Sequence, residues 1–332
     1  MNWSAQETVD GFAAAGEPTR LRILALLARE ELAVTELGQI LDQSQPRVSR
    51  HLKLLAEAGL VERFPDGAWV FYRIAWEQPG GALVRAAPAV IDPADPLLLG
   101  DAQRLGGVQS ARAEAAQAYF AQNAARWDDI RSLYVEEADV EAAILSQAGA
   151  GPFNRLVDLG TGAGRMLTLL GGRARRALGL DLSQQMLNIA RANASAAELN
   201  QCELRHGDIR STGLRDGAAD LVIVHQVLHY LMDPAAAVAE AARLVAPGGK
   251  LLVVDFAPHD LEFLREAHQH RRLGFADDEM ERWLAEAGLQ VSPAVTLPPP
   301  EGRGTPGLTV KSWAAPRARA DEQASLDERS AA

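Results

Sequence analysis

Cysteine is nearly absent. Cys202 stands alone in 332 residues, which rules out a disulfide within the chain and a thiolate metal cluster built by one chain. Arsenite methylation, which draws on several thiolates, is left without its ligands. Cys202 itself, at the start of an expected strand, reads as a small buried apolar residue. Long apolar runs are missing too: none approaches the ~20 residues of a membrane-spanning helix. The N-terminus lacks a basic segment followed by an apolar core, so no export signal is expected and a cytoplasmic location is the expectation. Positive charge is short, with 33 Lys and Arg against 44 Asp and Glu, a formal net charge of −11. The shortage is uneven. Residues 1–75 carry 8 basic and 10 acidic side chains, so the acidity sits mainly on the remainder. Distribution, not the sum, governs a nucleic-acid surface. Histidine is scarce as well, and His51 is the single one in residues 1–112.

What remains is ample for two domains: the length allows them, and a hydrophobic content of 48% is ordinary for a globular chain. The chain is organised around residues 156–164, in which an apolar run leads into Asp158-Leu159-Gly160-Thr161-Gly162-Ala163-Gly164, and Arg165–Leu170 then reads as a helix. Strand, glycine turn and helix suit a ligand that approaches the backbone closely, where a Cβ would intrude. The spacing is G-x-G-x-G with an acid two residues ahead. A dinucleotide fingerprint is G-x-G-x-x-G, and the acid would repel a pyrophosphate. Asp181 ends a second expected strand about 20 residues on, where an acid takes ribose hydroxyls in this topology. Gly207-Asp208-Ile209 ends a third.

The acidic start of this motif resembles the first motif of class I S-adenosylmethionine (SAM) methyltransferases. The resemblance implies a cofactor site for SAM or S-adenosylhomocysteine (SAH) at Asp158, Gly160, Thr161, Gly162, Gly164, Asp181, Leu182, Met186, Gly207, Asp208, Ile209 and His225. In that family the acid at Asp208 meets the adenine amino group. Further strands are expected at 220–224 and 250–255, the latter after the turn Ala246-Pro247-Gly248-Gly249, with a last pair at 289–291 and 308–313. This pattern over about 115–315 is similar to the quinone-biosynthesis type of small-molecule methyltransferase. The segment holding Tyr119, Phe120 and Trp127 looks like that family's N-terminal lid, or is ordinary core.

The fourth of these strands runs into His225-Gln226-Val227-Leu228-His229-Tyr230, at the edge that faces sulfonium and acceptor in this fold. An Asn/Asp-Pro-Pro-aromatic signature of base N-methylation is absent. His225 and His229 are the candidate general bases, or they line the pocket. Their i, i+4 spacing suits a metal, yet Gln226 stands where a zinc protease has glutamate and no third ligand is evident, so no metal is assigned. Asp255, His259 and the run His268–Arg272 are further polar candidates near the fifth strand, the run also reading as plain solvated surface.

The first 77 residues read differently. Helices are expected over 4–14, 18–27, 34–41 and 45–58, with Ser44 as cap, Pro46 in the first turn and Gly59 as stop. Strands 60–64 and 69–74 flank a Pro65-Asp66-Gly67 turn. Three helices followed by a hairpin make a winged helix–turn–helix. Residues 44–61 resemble the ArsR-type bacterial repressors, and the resemblance covers about 8–75. It implies a two-fold dimer on double-stranded operator DNA. Gln45, Arg47, Ser49 and Arg50 would enter the major groove, and His51 and Lys53 would lie toward the backbone. Many of these repressors sense metal through a Cys-Val-Cys pair where this chain has Ala33-Val34-Thr35, so that route is closed.

The expected architecture is an α+β winged helix–turn–helix domain plus an α/β Rossmann-like class I methyltransferase domain with a mostly parallel seven-stranded sheet. The domains are expected at 1–77 and 115–315, joined by a linker and helix at 78–114 that pairs protomers or acts as a spacer. A disordered tail is expected at 316–332. Two functions fit: a regulator whose operator affinity answers to SAM or SAH, and a working methyltransferase on a small acceptor whose winged domain controls its own operon. A third makes the winged domain a dimerisation module alone.

Overall fold

The computed structural model describes residues 3–66, 69–76, 78–86, 91–92, 94–122, 135–299 and 307–319. The chain divides into two compact units, 1–116 and 117–332. The first contains α1 (Ala5–Ala15), α2 (Pro18–Leu27), β1 (Leu32–Ala33), α3 (Val34–Leu41), α4 (Gln45–Glu57), β2 (Val61–Asp66), β3 (Trp69–Ile74), α5 (Pro79–Ala86) and most of α6 (Pro96–Gln122). A reciprocal cap starts α1: the Ser4 hydroxyl accepts the Glu7 amide at 3.2 Å and the Glu7 carboxylate accepts the Ser4 amide at 2.6 Å. Val48, Leu52 and Leu55 form the inner stripe of α4 and are fully buried. Gly59, at φ +66°, closes that helix, with the Leu60 amide bonded to the Leu55 carbonyl at 3.0 Å. The wing is the antiparallel pair β2–β3, in register Val61↔Ile74, and β1 adds a two-residue edge beside β3.

Two features of this unit differ from the sequence reading. Pro79-Gly80-Gly81, within the stretch expected as a linker, opens α5. A Cβ on Gly80 would lie 2.3 Å from the Gly59 carbonyl oxygen, and one on Gly81 would lie 2.8 Å from Trp76 Cα. These glycines serve close packing and do not break the helix. The stretch 78–114 is also tied into the winged unit. Leu105 and Val108 of α6 join its core. Arg22 forks onto the buried carboxylate of Asp101 with two bonds of 2.6 Å, and Arg112 reaches Glu30 at 2.6 Å and Glu36 at 2.7 Å.

The second unit is a seven-stranded sheet in the order β6-β5-β4-β7-β8-β10-β9, covered by helices. Its elements are α7 (Glu137–Ala148), β4 (Leu156–Leu159), α8 (Arg165–Leu170), β5 (Ala177–Asp181), α9 (Gln184–Ala196), β6 (Cys202–His206), β7 (Ala219–His225), α10 (Pro234–Leu244), β8 (Val245–Phe256), α11 (Phe263–His268), α12 (Asp277–Glu286), β9 (Val295–Leu297) and β10 (Val310–Pro316). Strands β4 to β8 are parallel, and β10 is antiparallel to both β8 and β9. Alternate residues sort to opposite faces. Val157, Val222 and Val224 pack with α10 and α12, while Leu156, Leu221 and Ile223 pack with α7, α8 and α9. The chain runs from β4 outward to β6, then returns to β7 on the other side of β4. That reversal opens a crevice at the carboxyl ends of β4 and β7.

The strand expected at 289–291 lies instead at Val295–Leu297. Residues 288–290 are spent on closing α12. Gly288 takes φ +74°, the Leu289 amide bonds the Leu284 carbonyl at 3.1 Å, and the Gln290 amide bonds the Pro316 carbonyl at 2.9 Å. The Ala246–Gly249 turn is an irregular start of β8. Pairing at the far end of the chain continues past 315: Arg317 exchanges backbone bonds with Gly248 and Gly249 at 3.0 and 2.9 Å. The rest of the expected tail, 320–332, lies outside the described residues, as does Trp127 of the expected lid; Tyr119 and Phe120 fall in the last turns of α6. No helix among the described residues is long and apolar enough to cross a membrane.

Candidate functional site

The glycine turn is shaped by the strand beside it. The amides of Gly160 and Thr161 both bond the Leu180 carbonyl at 2.8 Å. The next amide, Gly162, bonds the Asp181 carboxylate at 2.8 Å, and the Ser183 amide takes its other oxygen at 2.7 Å. Gly160, Gly162 and Gly164 have φ of +76°, +52° and +79°. Their surroundings differ. A Cβ on Gly160 would sit 2.6 Å from Val227 Cγ2, whereas one on Gly162 would meet nothing within 4 Å. Gly160 is therefore glycine for packing, and Gly162 keeps backbone open toward the crevice.

Asp158 lies beneath this turn, 1% exposed. One oxygen accepts the Thr161 hydroxyl at 2.6 Å and the other has no hydrogen-bond partner among the described residues. Burial pushes its pKa up to about 7; the Thr161 bond opposes that rise and the nearby Asp181 charge adds to it. Burial also raises Asp181, against the pull of its backbone donors. Leu182 is exposed and Ile209 buried. The Met186 amide donates to Ser183 Oγ at 3.3 Å, and the Gly207 amide to the Asp181 carbonyl at 3.0 Å. Asp208 is gripped by Arg210 through bonds of 3.1, 3.2 and 2.7 Å, which hold its carboxyl below the usual range. The fold thus brings the sequence-assigned cofactor residues to one edge, the carboxyl ends of β4 to β7. The open backbone at Gly162 and the two carboxylates beside it fit a ligand that is cationic and carries hydroxyls.

His225 ends β7, and Gln226 follows with φ +50°, a left-handed backbone costly for a side-chain-bearing residue. The His225 ring is pushed down to about 4 by burial; Asp255 opposes this and His229 adds to it. His229 is 1% exposed, and its Nδ1 lies 2.7 Å from Asp255 Oδ1. The rings of Tyr230, His270 and Phe256 lie 4.1, 4.2 and 4.9 Å from its own. His268 and His270, which the solvated-surface reading would have left in water, are buried at 7% and 2% exposure. Sequence spacing pointed to His225 and His229, and the polar residues near the fifth strand included Asp255 and His270. Nothing in the sequence joined them. No group of three or more His, Cys, Asp or Glu side chains among the described residues is arranged to hold a metal ion.

On α4 of the first unit, Gln45, Arg47, Arg50 and Lys53 are exposed, and Ser49 is partly so. They lie off the buried stripe, as a face that enters a groove requires. Two neighbours differ from expectation. His51 turns to Glu17, with Nδ1 3.4 Å from the carboxylate, instead of facing outward. Ser44 occupies the cap position with extended backbone, but its hydroxyl accepts no bond from the helix.

Comparison with known proteins follows the same division. Residues 17–63 match the model of the bacterial regulatory proteins of the arsR family, and residues 157–253 match a methyltransferase domain model. The arsenical resistance operon repressor of Escherichia coli is 48% identical over 67 residues, 20% of this chain and 57% of its own. An uncharacterized 37.1 kDa transposon protein of Streptomyces fradiae is 32% identical over 174 residues, 47% of this chain and 49% of its own. A malonyl-[acyl-carrier protein] O-methyltransferase of Serratia marcescens is 30% identical over 156 residues, 47% of this chain and 58% of its own. The chain spans about half the length of the curated relatives it matches. The chain thus joins a winged helix–turn–helix that matches the arsR-family model to a seven-stranded, mostly parallel sheet domain that matches the methyltransferase model.

Proposed function

We propose that this protein is a cytoplasmic DNA-binding regulator whose second domain binds SAM or SAH and thereby sets its affinity for an operator. The observation that carries the reading is the state of the crevice. Gly162 leaves backbone open beside Asp158 and Asp181, while α4 of the other domain keeps Arg47 and Arg50 exposed. Asp181 offers its remaining lone pairs to ribose hydroxyls. Asp208 reaches adenine by sharing its oxygens with Arg210, and Leu182, Met186 and Ile209 supply apolar contact. Gln45, Arg47, Ser49 and Arg50 read base edges, with Lys53 toward phosphate. The protein works as a homodimer on a two-fold operator. Exposed Val9 and Phe12 on α1, with Leu97 and Leu99 on α6, give each protomer apolar surface for that pairing.

Coupling requires that the cofactor bind the DNA-competent and DNA-incompetent states with different affinity. Fluorescence anisotropy of operator DNA, titrated with protein in the absence and presence of SAH, tests it. An affinity change of several-fold is expected, and none sinks the regulatory half. A second reading, methyl transfer to a small acceptor, is favoured by the buried His229–Asp255 pair. Binding SAM demands no such pair, whereas proton removal from an acceptor does.

A further inference from the structure

Among the described residues of the first unit, a cavity of about 520 Å³ lies between the corner that joins α1 to α2 and the start of α6. Its walls are apolar. Phe12 and Ala15 come from α1, Leu21 from α2, Ile91 from the segment before α6, and Leu97 and Leu98 from the first turn of α6. A volume of this size is in the range of small-molecule sites. Neither the exposed face of α4 nor the cofactor crevice uses it. Three charged side chains, Glu17, Arg22 and Asp95, also line it.

Two of these charges are committed within the fold, and the third is committed in part. Glu17 accepts the Arg20 amide at 2.9 Å, at the start of α2, and lies 3.4 Å from His51 Nδ1. Asp95 accepts the Leu97 and Leu98 amides at 2.9 and 3.2 Å, at the positive end of α6. Arg22 forks onto Asp101 through Nε and Nη2, so its charge is matched. Its third nitrogen, Nη1, makes no hydrogen bond among the described residues. The residue is 9% exposed and lines the cavity. A guanidinium nine-tenths buried therefore keeps two N–H donors for an occupant, in a wall that is otherwise apolar. A buried donor left without an acceptor is costly, and a ligand that supplies one removes that cost.

The lining selects the charge of what enters. A carboxylate meets Glu17 and Asp95, and an ammonium group meets Arg22. An uncharged molecule avoids both penalties and buries its hydrocarbon against the walls. We propose that this cavity is a binding site for an uncharged apolar molecule that carries a carbonyl oxygen, a ketone, ester or lactone, with Arg22 Nη1 as the donor to that oxygen. The rival occupant is a second copy of the chain, because exposed Phe12 and Leu97 also belong to the surface assigned above to pairing. Apolar side chains of a facing helix cover the rim and leave Nη1 without an acceptor, whereas a carbonyl compound supplies one. The site is independent of the cofactor reading, since every residue in it belongs to the first unit.

The test uses full-length protein and ligand-observed NMR titration with four probes. 4-Phenylbutan-2-one is the ketone. 3-Phenylpropanoate and 4-phenylbutan-2-amine keep its skeleton and carry an anion and a cation, and benzene is a hydrocarbon soluble enough to titrate. The ketone should bind with a dissociation constant of about a millimolar or tighter, and the two ions at least about tenfold more weakly. Arg22→Lys keeps a charge for Asp101 but has no Nη1. It should weaken the ketone roughly fivefold to tenfold and leave benzene within about twofold. Ala15→Phe and Leu98→Trp fill the cavity and should abolish binding of both. Where Arg22→Lys fails to fold, the order of the probes and the two filled-cavity variants carry the test. No ketone binding, ions that bind as well as the ketone, or ketone binding unchanged by filling the cavity overturns the proposal. So does ketone and benzene weakened equally in a folded Arg22→Lys. Binding at concentrations where sedimentation shows monomer, lost where it shows dimer, assigns the cavity to the second copy and overturns it too.

Discussion

Replacing Asp158 by asparagine separates what the acid does for the fold from what it does for the ligand. Burial raises its pKa from 3.8 to about 7. A displacement of that size corresponds to roughly 4 kcal/mol between the two protonation states. The unfolded chain releases this proton near pH 4 and the folded chain near 7. Between those values the folded state holds the extra proton, so stability from this group falls as pH rises, and the full penalty is present above about 7. An asparagine side chain at this position has no such penalty and can still accept the Thr161 hydroxyl bond. The melting temperature of D158N should therefore match wild type near pH 4 and exceed it increasingly toward pH 8. Ligand binding should respond in the opposite sense. An ammonium group at the turn, such as that of the amino-acid end of SAH, favours the carboxylate, so SAH should bind wild type about tenfold more weakly at pH 6 than at pH 8, the change expected when only the ionised form binds. D158N should bind weakly and lose most of that slope. Asp181 titrates in both proteins, so the difference between them isolates Asp158. Calorimetry at several pH values measures it, and an identical slope in the two proteins would refute the reasoning.

Further substitutions probe the packing and the two sites separately. Gly162→Ala meets no protein atom within 4 Å but must hold φ +52°, so it should cost about 1–2 kcal/mol in stability and abolish most SAH affinity in calorimetry. Gly160→Ala drives a Cβ to 2.6 Å from Val227, and thermal unfolding should show the larger loss. Arg22→Ala leaves the Asp101 carboxylate, 2% exposed, with Arg104 at 2.7 Å as its remaining charged partner. Hydrogen exchange should report about 1–3 kcal/mol of lost protection in α2 and α6. Arg47→Ala or Arg50→Ala should weaken operator binding by about 1–3 kcal/mol wherever the arginine bonds a guanine. His51→Ala, which removes the pairing to Glu17, should change operator affinity far less.

The contrast between His225 and His229 shows where the sequence stops being informative. Their spacing of four residues is visible along the chain, and it suggests two equivalent bases or two metal ligands. The fold makes them unlike. Asp255, from the next strand of the sheet, reaches His229 alone with a direct bond, and His270 comes from the segment after α11. A bond between residues 26 positions apart depends on the register of β7 against β8, Ile223 opposite Leu252 and His225 opposite Val254, and no local pattern encodes that register. The glycine turn was legible for the opposite reason. Its acid, its three glycines and the carboxylate that bonds Gly162 sit within two consecutive strand-to-helix turns, so spacing along the chain sets spacing in the crevice. Helices α1 to α4 were legible from local signals, α4 from Val48, Leu52 and Leu55 on one stripe, Pro46 in its first turn and Gly59 as its stop. The role of Gly80 and Gly81 was not legible, because a glycine that admits a neighbouring backbone has the same letter as one in a linker, and only the 2.3 Å approach to Gly59 tells them apart. Residues whose role is local were thus found from the sequence, while His270 and Asp255, whose role arises where separate strands meet, were named as polar candidates without their connection.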